Sequence, residues 1–139
     1  MVLVAIQSVK FPDRYVSLDG RGVTSFTGPG GGKNNDNTVS FNSTVFDNVF
    51  LRLDGAGVAQ GETLANGGGV VNAQYTANTL EKFRIQKKVD GSGKHYGIVG
   101  IESLSYVWRY LRLDGAANKV NVQGVFGTNE EFRILVVGK

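Results

Sequence analysis

The chain has 139 residues, 41% hydrophobic and 19% charged, with 20 glycines, no cysteine, one histidine and a formal net charge of +3. That length holds one domain rather than two, and the composition fits a folded globule rather than a disordered chain. The absence of cysteine excludes a disulfide scaffold and thiolate metal sites, and a single histidine excludes a multi-histidine centre. No metal or other cofactor is therefore expected, and catalysis has little to work with.

The 15 basic and 12 acidic side chains are spread along the chain, and Lys87-Lys88 is the longest basic run. Nucleic-acid binders gather positive charge on one face or stripe, so no nucleic-acid partner is expected. The first six residues, Met1 to Ile6, are apolar but meet Lys10 and Asp13 without a basic leader. They read as a strand and not as a signal peptide. No stretch approaches the ~18 apolar residues of a membrane span. The expectation is a protein without membrane insertion, cytoplasmic or released without a classical signal peptide.

Along the chain, Val4 and Ile6 alternate with Ala5 and Gln7, the period of two that marks a half-buried strand. Val16 and Leu18 begin a second strand, closed by Asp19-Gly20, a dipeptide suited to a tight turn with positive φ. The glycine-rich run from Gly28 to Gly32, followed by Lys33, lacks the spacing and hydroxyl of a phosphate loop. Val39 and Phe41 repeat the first strand, and Leu51 and Leu53 repeat the second, with Arg52 facing the other way and Asp54-Gly55 closing it. After Gly67-Gly68-Gly69, a third strand carries Val71 and Ala73 inward with Asn72 and Gln74 outward, and a fourth carries Phe83 and Ile85 inward. Val99/Ile101, Leu111/Leu113, Val120/Val122 and Phe132/Ile134 complete another such set, with Arg112, Asn121 and Gln123 outward and Asp114-Gly115 at the turn. No segment has a 3.6-residue apolar stripe, so helix content near zero is expected.

These elements repeat. Residues 4–20, 39–55 and 99–115 align without a gap on V-x-[I/F]-x-S, six further positions, an aromatic, an aliphatic, one position and L-D-G. Residues 70–85 and 119–134 align on V-N-x-Q and E-x-F-R-I. Three copies of a four-strand unit that cannot bury its own apolar face point to a closed barrel sharing one core. The expected core is Val4, Ile6, Leu18, Phe41, Leu53, Phe83, Ile101, Leu113, Phe132 and Ile134.

On these residues the chain resembles the β-trefoil superfamily over nearly its whole length. The strings R-Y-V-S-L-D-G, V-F-L-R-L-D-G and R-Y-L-R-L-D-G, with E-K-F-R-I and E-E-F-R-I, are most similar to fascin-like and arabinose-binding trefoil modules and to small trefoil lectins. The resemblance implies one all-β trefoil domain over 1–139 with lobes at 1–38, 39–98 and 99–139. The first lobe, which lacks E-x-F-R-I, is expected to be shortened or degenerate.

The polar pattern that invites a ligand is the outward face of the third strand. Asn72 with Gln74, and Asn121 with Gln123, each share one strand face. Aligning the triple glycines puts Asn35 and Asn37 there in the first copy. Amides both donate and accept, as sugar hydroxyls require. Asp54 and Asp114 could add charged acceptors, and Tyr75 or Phe126 an apolar ring face. The competing reading is that these amides solvate the face or hold loop backbone, and that Asp19, Asp54 and Asp114 seed hairpins. The trefoil resemblance favours sugar. The ricin-type Gln-x-Trp site is not carried over, because Tyr75 and Gly124 follow the glutamines and Arg52 and Arg112 stand in the aspartate's place. Trp108, in the third copy alone, reads as a barrel cap or a stacking ring.

The leading expectation is a non-enzymatic lectin with two or three quasi-equivalent sites, useful together on a multivalent surface, whose partners are glycans or glycoproteins. A homodimer is left open. The alternative is a protein-binding trefoil: a fascin-like actin-associated module, or a protease inhibitor presenting 87–97, the loop that contains His95. Asn34, Asn35, Asp36 and Asn37 would be the place for an oxygen-only calcium site if one existed.

Overall fold

A computed structural model describes residues 3–18, 20 and 38–138. The described chain is all-β: β1 Leu3–Ser8, β2 Val49–Asp54, β3 Val70–Tyr75, β4 Phe83–Val89, β5 His95–Ser103, β6 Tyr110–Asp114, β7 Lys119–Gln123 and β8 Phe132–Gly138. Its helical content is two single 3₁₀ turns, Thr79–Glu81 and Thr128–Glu130. Among the described residues no helix is long and apolar enough to cross a membrane. One sheet runs β1-β8-β5-β6-β7 with β4 also on β5, and β2 and β3 form a separate pair; all pairs are antiparallel.

The sequence repeats return as repeated geometry. In β2–β3, Arg52 pairs with Asn72 and Leu53 with Val71; in β6–β7, Arg112 pairs with Asn121 and Leu113 with Val120. The serine ending the first strand caps the following turn in every copy. Ser8, Ser43 and Ser103 accept through Oγ from the N–H of Phe11, Phe46 and Tyr106 at 2.9, 3.1 and 3.0 Å. Those aromatics link the copies in a ring. A Cβ on Gly20 would come within 2.8 Å of the Phe46 ring, one on Gly55 within 2.8 Å of Tyr106, and one on Gly115 within 2.6 Å of Phe11. Each copy's L-D-G glycine thus lies under the aromatic of the next, and the third returns to the first.

That packing corrects the expected role of the glycine. Gly115 does open the 115–118 turn between β6 and β7, but neither Gly55 nor Gly115 is among the positive-φ residues, so the positive-φ reason for the glycine fails; the position is small because a ring lies on it. The aspartate does shape the local chain, since Asp54 Oδ1 accepts from Ala56 N at 3.0 Å and Asp114 Oδ1 from Ala116 N at 3.1 Å.

Leu51, Leu53, Phe83, Ile101, Leu111, Val122 and Phe132 are at most 2% exposed and pack in one cluster with Ile6, Val58, Val99 and Leu113. Leu18, Phe41 and Ile134 are partly buried against it. Val4, expected in the core, is half-buried and outside the cluster. The reason is that β1 ends the sheet, and Val4 faces the exposed Val136 across the ladder. The strands expected at 16–18 and 39–41 form isolated bridges rather than ladders: Tyr15 pairs with Gln7, Val39 with Phe83 and, just beyond, Asn42 with Phe50.

Candidate functional site

The two V-N-x-Q faces lie in different surroundings. In the third copy, Asn121 and Gln123 point away from Val122 as expected but are 8% and 4% exposed, because the β2–β3 connection lies over them. Gln123 clamps Leu64 at both backbone groups: Oε1 accepts from Leu64 N at 2.8 Å and Nε2 donates to Leu64 O at 2.9 Å. Asn121 Nδ2 donates to Asn66 O at 2.8 Å, and Arg112, itself buried, donates to Asn66 O and Asn121 Oδ1, both at 3.2 Å. Backbone bonds finish the seam: Gly61 N to Gly124 O at 2.8 Å, and a reciprocal pair between Gly68 and Val122. Gly67 adopts φ +66 with its missing Cβ aimed at the Asn121 amide, and a Cβ on Gly124 would land on the Ala59 carbonyl oxygen. In this copy the amides hold loop backbone.

In the second copy the face is open. Asn72 is exposed and Gln74 half-buried. Asn72 Oδ1 accepts from Arg52 Nη1 at 3.3 Å, and Gln74 Oε1 accepts from the adjacent Tyr75 N at 3.1 Å. Among the described residues neither Asn72 Nδ2 nor Gln74 Nε2 has a hydrogen-bond partner. Two residues of strand separate these donors, about 7 Å at ~3.3 Å per residue. Arg52 Nη2 also pairs with Asp54 Oδ2 at 3.4 Å. The Ala56 N–H holds the Asp54 carboxyl below the ordinary aspartate range, with Tyr106 and Arg52 acting the same way against partial desolvation. The carboxylate therefore stays charged beside the amides.

Pleat parity sorts the rings. Tyr75 pairs with the buried Val49 and falls on the side opposite Asn72 and Gln74, whereas Phe50 pairs with Gln74 and shares its side. Phe50 is the ring that the sequence reading missed; counting by twos back from Arg52 finds it. Phe126 stacks on Tyr110 at 5.2 Å, with Lys88 4.9 Å from its ring centre. The sequence signal separating the two faces was also present. Glycine at 124, where the second copy has Tyr75, marks close backbone approach.

Each of the buried carboxylates accepts from a backbone N–H. Glu81 and Glu130 accept from Asn78 N and Gly127 N, both at 2.8 Å, capping the two 3₁₀ turns. Burial pushes both carboxyls above the usual glutamate range, against the lowering effect of those N–H groups. Glu102, 2% exposed, accepts from Trp108 N at 2.7 Å and Gln86 Nε2 at 2.6 Å. Among the described residues no three His, Cys, Asp or Glu side chains gather as a metal site. Asp19, the segment with Asn34, Asn35, Asp36 and Asn37, and the His95 side chain lie outside the described residues.

No protein-family model matches the chain, and no curated protein matches it.

Proposed function

We propose that the chain is a non-enzymatic carbohydrate-binding protein of β-trefoil architecture, with its principal site on the outward face of β2–β3. The ring of glycine–aromatic contacts, Gly20 to Phe46, Gly55 to Tyr106 and Gly115 to Phe11, supports three equivalent lobes closed on one another. The observation that carries the function is the pair of unpartnered amide donors on Asn72 and Gln74, flanked by the Arg52–Asp54 pair and Phe50. The face offers donors, acceptors and an apolar ring, the mixture that sugar hydroxyls and C–H faces take. The third copy illustrates what such a face can hold, since Gln123 grips a donor and an acceptor of Leu64 together. That occupation leaves one open amide face rather than equivalent ones on both lobes. The non-enzymatic reading is supported by Glu81, Glu102 and Glu130, whose carboxylates cap backbone N–H groups instead of facing one another across a cleft.

A second reading has its own support. The β4–β5 turn is exposed and preorganised, Asp90 Oδ1 accepting from Ser92 N, Ser92 Oγ and Lys94 N at 2.8, 2.6 and 3.0 Å. Val89 and Tyr96 are 57% and 62% exposed at its base, as a protein-contacting loop would be. Screening on immobilised glycans, with inhibition of trypsin-like proteases measured in parallel, separates the two. Saturable glycan binding without inhibition is the expected result; inhibition without glycan binding overturns the carbohydrate reading.

A further inference from the structure

We infer that Trp108 is a stacking platform for a pyranose ring, a sugar site on the β5–β6 turn that is not repeat-equivalent to the β2–β3 face. The inference rests on the carbohydrate reading and adds a location and a mode of contact to it. In the aligned copies Trp108 stands where the first has Asp13 and the second Asn48. Asn48 has φ +60 and Trp108 φ +65. Asparagine tolerates that left-handed region, while a bulky residue there is uncommon. The third copy therefore places its only tryptophan on strained backbone.

The strain persists because the surroundings over-determine the turn. Trp108 N donates to the buried Glu102 at 2.7 Å, Arg109 N to Tyr106 O at 3.0 Å, and Ser103 N to Arg109 O at 3.0 Å. Arg109 Nε donates to Val58 O at 2.7 Å. Two side chains converge on the carbonyl of the Val107–Trp108 peptide, Arg109 Nη1 at 3.0 Å and Gln60 Nε2 at 3.2 Å. All this order presents a tryptophan that is 61% exposed. A barrel cap would be covered. An uncovered ring carried on backbone that is already fixed leaves only its own side-chain rotation to be ordered when a ligand stacks on it.

The size and rim of the patch select the occupant. The adjacent exposed apolar residue is Val107, at 40%, and the two together fall far short of the ~800 Å² per partner of a stable protein interface. Gln60 Oε1 and Arg109 Nη2 have no hydrogen-bond partner among the described residues, and both side chains are held at the Val107 carbonyl that precedes Trp108, where they supply an acceptor and a donor. A ligand with one apolar C–H face and a polar edge fits; a pyranose has both. The negative π-face favours the polarised C–H groups of the sugar.

Because the chain has one tryptophan, its emission reports this site alone. Wild type, Trp108→Ala and Trp108→Asn are screened on immobilised glycans, and wild-type emission and acrylamide quenching are followed with methyl glycosides of galactose, glucose, mannose and N-acetylglucosamine. The expected result is a shifted emission with protection from acrylamide for at least one glycoside. Both variants should lose tenfold or more in binding to the glycans bearing that sugar. Trp108→Asn, which installs the residue the second copy uses, should unfold at or above the wild-type midpoint, separating loss of the ring from loss of the fold. Glycan binding that leaves emission and quenching unchanged and survives in Trp108→Asn overturns the inference and leaves the carbohydrate reading standing. Absence of binding to any glycan overturns both.

Discussion

Gln123 and Gln74 occupy the same repeat position with the same strand register, so their truncation isolates what the β2–β3 connection contributes. Gln123→Ala removes both bonds to the Leu64 backbone, at 2.8 and 2.9 Å, in a side chain 4% exposed. Two neutral hydrogen bonds at ~0.5–1.5 kcal/mol each come to about 1–3 kcal/mol. Loss of one buried methylene adds about 0.8 kcal/mol. The expected cost is about 2–4 kcal/mol, enlarged if Leu64 N–H and C=O remain dry. Gln74→Ala removes one short-range bond to Tyr75 N at 3.1 Å from a half-buried side chain, and about 0.5 kcal/mol or less is expected. Equilibrium urea unfolding of both variants, with the m-value checked for constancy, measures the difference directly. Equal costs within about 0.5 kcal/mol would refute the argument that one face is clamped and the other open.

Gly124→Ala places a methyl against the backbone carbonyls of Ala59 and Glu62 and should cost about 1–3 kcal/mol through overpacking. Gly91→Ala, where a Cβ meets nothing within 4 Å, should be close to neutral. Leu53→Ala, at a fully buried position, should cost ~2–5 kcal/mol in the same assay. Glu130 has a folded-state pKa raised chiefly by burial, so its stabilising contribution is fully present below the unfolded-state value and fades as pH rises through the folded one. Glu130→Gln should therefore flatten the fall of stability from about pH 4.5 upward and match or exceed wild-type stability at pH 7. A variant that is less stable at pH 7 and keeps the full slope would contradict this.

The repeats made the strand order legible, and the period of two placed Leu53, Phe83, Ile101, Leu113 and Phe132 in the core, where the structure has them. Periodicity assigns a side chain to a face but says nothing of what covers that face. Alternation puts Asn121 and Gln123 opposite Val122, where the structure has them, yet their burial depends on the β2–β3 connection, which pairs with β7 through Gly68 alone and carries no alternating pattern. Val58, 2% exposed, was missed for the same reason: it sits in that connection, outside any alternating run. The L-D-G glycine suggests a positive-φ turn in the sequence, whereas its place is set by a ring that comes from another repeat. Glu102 alternates with the buried Ile101 and Ser103 yet is itself buried, because the turn through Trp108 folds back onto its carboxylate.

The most direct test of the carbohydrate account is glycan binding by wild type and by the Asn72→Ala/Gln74→Ala double variant, read beside their melting temperatures. The account predicts saturable wild-type binding to a defined set of immobilised glycans. Two lost neutral hydrogen bonds, ~0.5–1.5 kcal/mol each, should weaken the double variant by roughly 5- to 150-fold at the β2–β3 site with its melting temperature within a few degrees of wild type. Undiminished binding by a double variant that melts like wild type would contradict the assignment of the site to this face, and the absence of any glycan binding by the wild type would contradict the carbohydrate function itself.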